Sequence, residues 1–147
     1  MEIAGTVSAL LREKNRALSS IDPSATVYAA IELMAEQNIG ALPVLDGRQL
    51  VGLLSERDYT RKIILQGRSS KETAVREIMT CDLITVGPDD SIGHCMRLMT
   101  DVRVRHLPAV EGKEIIGILS IGDVVRWIMS AQTATIDQLT KYVFGEV

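Results

Sequence analysis

Two short runs carry the residue types that can hold a polar ligand: Gly52-Leu53-Leu54-Ser55-Glu56-Arg57-Asp58 and Gly117-Ile118-Leu119-Ser120-Ile121-Gly122-Asp123. Each reads as an apolar strand, a hydroxyl, a helix start and a carboxylate one turn further on. A serine at a helix N-terminus lies beside unpaired backbone N–H groups and the positive end of the helix dipole, where a phosphate can settle. An ionised aspartate accepts two charge-assisted hydrogen bonds from the vicinal hydroxyls of a ribose. The same residues have a plainer use, Ser55 and Ser120 as N-caps and Asp58 and Asp123 as first-turn partners of the dipole, which needs no ligand. Against the plainer use, Ser, Asp and the later Arg61 and Arg126 recur in one register while Glu56/Ile121 and Tyr59/Val124 between them do not.

The recurrence extends along the chain. A shift of 65 residues superposes, without a gap, Pro23 on Pro88, Leu33 on Leu98, Met34 on Met99, Leu42 on Leu107, Pro43 on Pro108, Gly47 on Gly112 and Ile63 on Ile128. A period this long exceeds the roughly 20 to 50 residues of solenoid repeats, so each copy is a supersecondary unit that pairs once. The spacing predicts a short strand over 18–21 and 83–86, then a proline suited to the first turn of a helix, with Asp22 able to cap the first copy. Val27, Ala30, Ile31, Met34 and Ile92, Cys95, Met96, Met99 form the stripe of a core-facing helix. Residues 41–45 and 50–55 bracket Asp46-Gly47, residues 107–110 and 115–120 bracket Gly112, and both pairs read as β-hairpins. A second helix follows Ser55 and Ser120. The expected fold is α/β (α+β), two tandem β-α-β-β-α repeats related by pseudo-twofold symmetry with an N-terminal segment and a C-terminal helix.

These elements place repeat 1 at 5–66, a linker at 67–74, repeat 2 at 75–133 and a helical tail at 134–147. Gln66-Gly67-Arg68 breaks the preceding helix, and Ser69 with Glu72 has the form of a capping box that opens a short helix towards Met79. In the tail, Ile136, Leu139 and Val143 share one face, suited to packing on the module or on a partner chain.

Composition narrows the function classes. With 147 residues and 46% hydrophobic content the chain can bury a core, and a net charge of -3 gives no global attraction for nucleic acid or anionic lipid. No apolar run approaches the roughly 20 residues that span a bilayer, and the opening MEIAGTVSALLREKN lacks the order of a secretory signal. The expectation is a cytoplasmic protein with no membrane or nucleic-acid partner. Cys81 and Cys95 have neither metal-ligand spacing nor disulfide density, and Cys95 falls on an apolar helix face.

The repeat unit, L-P-V-x-D-G followed by an apolar strand ending G-h-h-S-x-x-D, resembles the CBS domain, and the tandem pair resembles a Bateman module. SERDYTRKIILQGRSS, VREIMT, RHLPAV and SIGDVVR are similar to phrases of stand-alone two-CBS proteins of bacteria and plant organelles, and the tail 135–145 fits that subgroup. The resemblance implies two pseudo-symmetric clefts between the repeats that bind AMP, ATP, S-adenosylmethionine or related nucleotides. On that basis Asp58 and Asp123 match ribose-binding carboxylates, Ser55 and Ser120 phosphate-side hydroxyls, and Ser20 and Thr85 the hydroxyl residues closing each first strand. Ile39, Gly40 and Ala41, and Val104, Arg105 and His106, match the segments lining the adenine or phosphate end. The resemblance also directs Arg105 and His106 to phosphate in the Asp58 cleft, favouring that cleft. Arg57 and Arg61 add charge there, whereas Gly122 stands where copy one has Arg57. Arg103 shares the basic edge, and the plainer use of Arg103 and Arg105 is a solvated strand end.

The function this implies is a regulatory sensor: an adenosine ligand such as AMP, with ADP, ATP, NAD and S-adenosylmethionine as alternatives, shifts the module between two conformations that a target protein reads. The alternative is a ligand-free interaction module that serves dimerisation, and a homodimer is implied in either case. Catalysis lacks an inventory, since His94 and His106 are at unrelated positions with no paired nucleophile, so no catalytic cofactor or metal is expected. Gly67-Arg68-Ser69-Ser70-Lys71 lacks the phosphate-loop spacing.

Overall fold

The computed structural model describes residues 3–144. Helices α2 (Val27–Gln37) and α4 (Ile92–Val102) occupy equivalent places in the two repeats. Thr26 and Ser91 cap them, accepting from the Ala29 and His94 N–H groups at 3.1 and 3.0 Å. Both end on a left-handed residue, Asn38 at φ 53° and Arg103 at φ 59°. The expected start at Pro23 is not found. The Asp22 carboxylate accepts instead from the Ser24 N–H (2.8 Å) and hydroxyl (2.6 Å), closing a turn, and the α2 N–H groups of Val27 and Tyr28 go to the carbonyls of Thr73 and Ser70. Of the two stripes, Val27, Ala30, Met34, Ile92, Cys95 and Met99 are buried and Ile31 partly so; Met96, at the flank of its face, is 38% exposed.

Strands β1 (Ala41–Asp46) and β2 (Gln49–Ser55) pair antiparallel with Leu42 opposite Leu54, and β3 (His106–Glu111) and β4 (Glu114–Ser120) form the equivalent hairpin. Their turns need φ near +60°, which Gly47 (63°) and Gly112 (62°) supply without steric cost. The first strand of each repeat is shorter than expected. In copy one a single parallel bridge joins Ile21 to Val44, through the Ile21 N–H to the Pro43 carbonyl and the Leu45 N–H to the Ile21 carbonyl, both 3.0 Å. The next rung would need a backbone N–H on Pro43, which proline lacks.

After β2, helix α3 (Glu56–Tyr59) widens into a π-helical segment, Thr60–Ile64. The linker starts no helix at Ser69; a 3-10 turn forms at Val75–Glu77, where the Glu77 carboxylate accepts from the Ala74 N–H (2.7 Å) and from Arg68 (2.7 Å). Beyond β4, helix α5 runs unbroken from Ile121 to Phe144. No glycine or proline interrupts it after Gly122, so the expected tail continues the second helix of repeat 2. Gly145, Glu146 and Val147 lie outside the described residues. No helix among the described residues is long and apolar enough to cross a membrane.

The chain forms two compact units, one of residues 17–85 and 108–118, the other of residues 3–16, 86–107 and 119–144. The first packs Val27, Ala30, Met34, Leu42, Val44, Leu54, Ile63, Val75 and Ile78 into one cluster; at about 1.5–3 kcal/mol for each large side chain, such a cluster outweighs single polar contacts. The second buries Val7, Leu10, Ile92, Cys95, Met99, Leu107, Leu119 and Val124. An element the sequence did not announce, α1 (Val7–Lys14), belongs to this second unit and is capped by Thr6. Its entry does for α4 what the linker does for α2. Val7 and Ser8 donate to the carbonyls of Asp90 and Pro88, as Val75 and Arg76 donate to those of Ala25 and Pro23. The N-terminal segment therefore packs on the start of α4 as residues 70–76, the end of the linker and the two residues after it, pack on the start of α2.

Candidate functional site

Each hairpin delivers its chain into a helix at a serine. In the first unit the Glu56 N–H donates to the Gly40 carbonyl (3.0 Å), which fixes the end of β2 beside the start of β1. Ser55 and Asp58 then hold each other: the Asp58 N–H donates to Ser55 Oγ (3.2 Å), while the Ser55 N–H and hydroxyl donate to Asp58 Oδ2 (3.0 and 3.1 Å). The Thr80 hydroxyl donates to Asp58 Oδ1 (3.2 Å), and Lys62 Nζ lies 3.1 Å from the same oxygen while donating to the Ile78 carbonyl. Thr80 and Lys62 were not among the residues the sequence pointed to. Ala41 is buried here, Ile39 and Gly40 are half-buried, and Arg57, Arg61, Ser20 and Thr85 are exposed.

The second unit repeats the arrangement at the same register. The Ile121 N–H donates to the Arg105 carbonyl (2.9 Å). The Asp123 N–H donates to Ser120 Oγ (3.1 Å), and the Ser120 N–H to Asp123 Oδ2 (2.8 Å). Two cations complete the carboxylate, Lys14 Nζ at 2.8 Å from Oδ2 and Arg126 Nη2 at 2.7 Å from Oδ1. Burial raises the Asp123 pKa, but the Lys14 ammonium and the Ser120 N–H and hydroxyl outweigh it, and the carboxyl ionises below its ordinary range. His106 is half-buried; burial lowers its pKa against the pull of Asp123, with Lys14 and Arg105 acting in the same direction as burial. The neutral form therefore predominates at pH 7. Val104 is half-buried, and Arg103 and Arg105 are exposed.

A cavity of about 380 Å³ opens beside Asp123, lined by Leu10, Glu13, Lys14, Arg16, Asp123, Arg126, Trp127 and Ser130. It falls in the size range of small-molecule sites. It brings a buried carboxylate, three cationic side chains and an indole together. Arg105 and His106, which the resemblance directs to the Asp58 ligand, belong to the unit that holds Asp123. Of this lining set the sequence singled out Asp123 as a ligand residue and marked Arg126 by its recurrence with Arg61. Lys14, Arg16 and Trp127 gave no signal because none of them recurs at the 65-residue shift: Lys14 and Arg16 have Met79 and Cys81 at their equivalent positions, and Trp127 has a lysine, Lys62. Trp127 is anchored by its Nε1–H to the Ala4 carbonyl (2.8 Å). Among the described residues no three His, Cys, Asp or Glu side chains group as metal ligands.

The sequence profile of the CBS domain matches residues 11–65 and 75–130. The chain belongs to the CBS-domain family. It is 46% identical over 125 residues to the mitochondrial CBS domain-containing protein CBSX3 of Arabidopsis thaliana, a stretch covering 82% of this chain and 61% of that protein. The chain thus spans about three fifths of that relative's length. A solved CBS-domain protein from Burkholderia ambifaria MC40-6 superposes with a TM-score of 0.82 at 46% identity, covering 87% of this chain and 96% of the other. The CBS domain pair of protein MJ0100, solved with 5'-methylthioadenosine and S-adenosyl-L-methionine, shares the fold at a TM-score of 0.77 and 22% identity, over 86% of this chain and 98% of that one. Two tandem CBS repeats, read from a 65-residue shift, are what the family profile and the fold both give. The cytoplasmic expectation is not carried forward, because the Arabidopsis relative is mitochondrial.

Proposed function

We propose that this CBS protein is a regulatory module without catalysis of its own, and that it binds an adenosine nucleotide of the AMP type in the cavity at Asp123. The observation that carries the reading is the lining of that cavity. Asp123 offers the acceptor oxygens a ribose diol needs, Lys14, Arg16 and Arg126 offer positive charge for phosphate, and Trp127 and Leu10 offer an aromatic and an apolar surface for a base. Ligand hydroxyls would take over Asp123 contacts now made by Lys14 and Arg126, releasing both cations towards the phosphate. Occupancy would thereby change how α1 is tied to α5, and that change is what a target protein would read. The MJ0100 complex, a likeness of fold alone, sets the ligand class to try. The resemblance favours Asp58, with Arg105 and His106, for the phosphate; the cavity favours Asp123, and the two are tested side by side.

The test is a thermal-shift titration with AMP, ADP, ATP, NAD and S-adenosylmethionine on the wild type, Asp58→Asn, Asp123→Asn and Arg126→Ala. Ligand at about 100 times its dissociation constant stabilises by about 2.7 kcal/mol, a readily measured shift. The reading requires a shift in wild type that Asp123→Asn abolishes and Arg126→Ala weakens for phosphorylated ligands. Loss in Asp58→Asn alone moves the site to Asp58, and no shift with any ligand leaves the interaction module, which the exposed apolar residues of α5 favour.

A further inference from the structure

Helix α5 outruns the buried core of its unit. From Gln132 to Phe144 every residue is exposed, whichever way it points. A stretch of about this length is marginal as a lone helix in water, and its helicity ordinarily comes from packing an apolar face. Most of the large apolar residues on the exposed side of α5 follow one spacing, with Phe144 off it. Val125, Met129, Gln132, Ile136, Leu139 and Val143 follow one another at intervals of four, three, four, three and four. That is the seam of a two-stranded coiled coil, which repeats about every 3.5 residues and faces another helix. Met129 is 61% exposed, Ile136 61%, Leu139 57% and Val143 69%.

The identity of the partner follows from charge and from one polar residue. From Gln132 onward the positions flanking the seam are Thr133, Thr135, Thr140 and Tyr142, none of them charged, and Arg126, which flanks Val125, is paired with Asp123 of its own helix. The charges of the segment, Asp137 and Lys141, sit four apart on the far side and cancel. The seam therefore carries nothing to repel an identical helix and no charge to select a different one. Gln132 interrupts the apolar row. Opposite an apolar side chain its amide would be desolvated and unpaired, whereas opposite another Gln132 each amide supplies the donor and acceptor the other lacks. An identical helix, parallel and in register, provides that match.

We propose that the outer part of α5 is a self-association element: two copies of this chain pair it in parallel and in register through Met129, Ile136, Leu139 and Val143, with the Gln132 amides bonded across the seam. This does not depend on the nucleotide reading, and most of the seam, Ile136, Leu139 and Val143, lies past the end of the CBS match at residue 130. The experiment is sedimentation equilibrium of the full chain, alone and as three variants: Leu139→Glu, Gln132→Glu and Gln132→Lys. Because these side chains are exposed in the lone chain, each variant should keep the wild-type circular dichroism of the repeats. The proposal predicts a wild-type dimer whose dissociation constant rises by at least about tenfold in each variant. It further predicts that Gln132→Glu and Gln132→Lys, mixed, recover a dimer tighter than either alone, since this pairing sets the two new charges face to face. A monomeric wild type, a Leu139→Glu dimer as tight as wild type, or no gain on mixing overturns it.

Discussion

Lys14 and Asp123 stand 109 positions apart in sequence, and their side chains meet at 2.8 Å inside one compact unit. The aspartate side chain is 6% exposed and the lysine 27%, so the pair is largely shielded, and it ties α1 to the start of α5.

Removing the lysine leaves a shielded carboxylate with Arg126 as its remaining cation. Lys14→Ala is expected to cost about 1–3 kcal/mol in urea unfolding at pH 7. Asp123 ionises below its unfolded value, so its contribution is present above pH 3.8 and is lost as pH falls through the folded pKa. The gap between wild type and Lys14→Ala should therefore narrow below that pH. A gap that is the same at pH 7 and pH 3 would mean the lysine acts through packing alone.

His106 gives a second pH signature of its own. Its folded pKa lies below the ordinary 6.5, so the unfolded chain binds the proton more readily, and stability is full above that pH and falls as pH drops through 6.5 towards the folded value. His106→Gln should flatten the fall in melting temperature between pH 7.5 and about pH 5. Identical slopes in the two proteins would show that burial of the imidazole carries no such linkage.

The two thiols should react on different schedules. Burial, helped by the nearby Asp90 charge, pushes the Cys95 pKa up to about 11, while Cys81 is exposed. A thiol reagent at pH 8 should modify one cysteine quickly in the native protein and the second only at the rate of unfolding. Peptide mapping that finds Cys95 modified first would contradict the packing of α4.

Gly5 sits at φ 110° with the Trp127 ring where a Cβ would go. Gly5→Ala combines a disfavoured backbone with a clash against an indole anchored to Ala4, and should destabilise by about 1–3 kcal/mol with a change in tryptophan fluorescence. Gly47→Ala, equally positive in φ but with open space around it, should cost less and leave the fluorescence unchanged.

Much of this was legible in the residues because local chemistry repeats with the chain. The hairpins, the two serine-capped helix starts and the aspartates one turn later recur at a shift of 65, and the structure gives them the same hydrogen bonds twice, Gly40 to Glu56 and Arg105 to Ile121. Helix starts were misplaced by a few residues at Pro23 and Ser69, where a turn bond of Asp22 and the carboxylate of Glu77 outcompeted the expected caps. The cavity was not legible. Lys14 and Arg16 look like a solvated basic run and Trp127 like one more apolar position; nothing in their spacing refers to Asp123. Local hydrogen bonding and periodicity act over a few residues, so sequence alone determined the repeat, its two hairpins and the serine–aspartate pairing that opens each following helix. Which cations and which aromatic ring surround a carboxylate depends on where a distant segment closes back on the chain, and only the tertiary packing of α1 and α5 decided that.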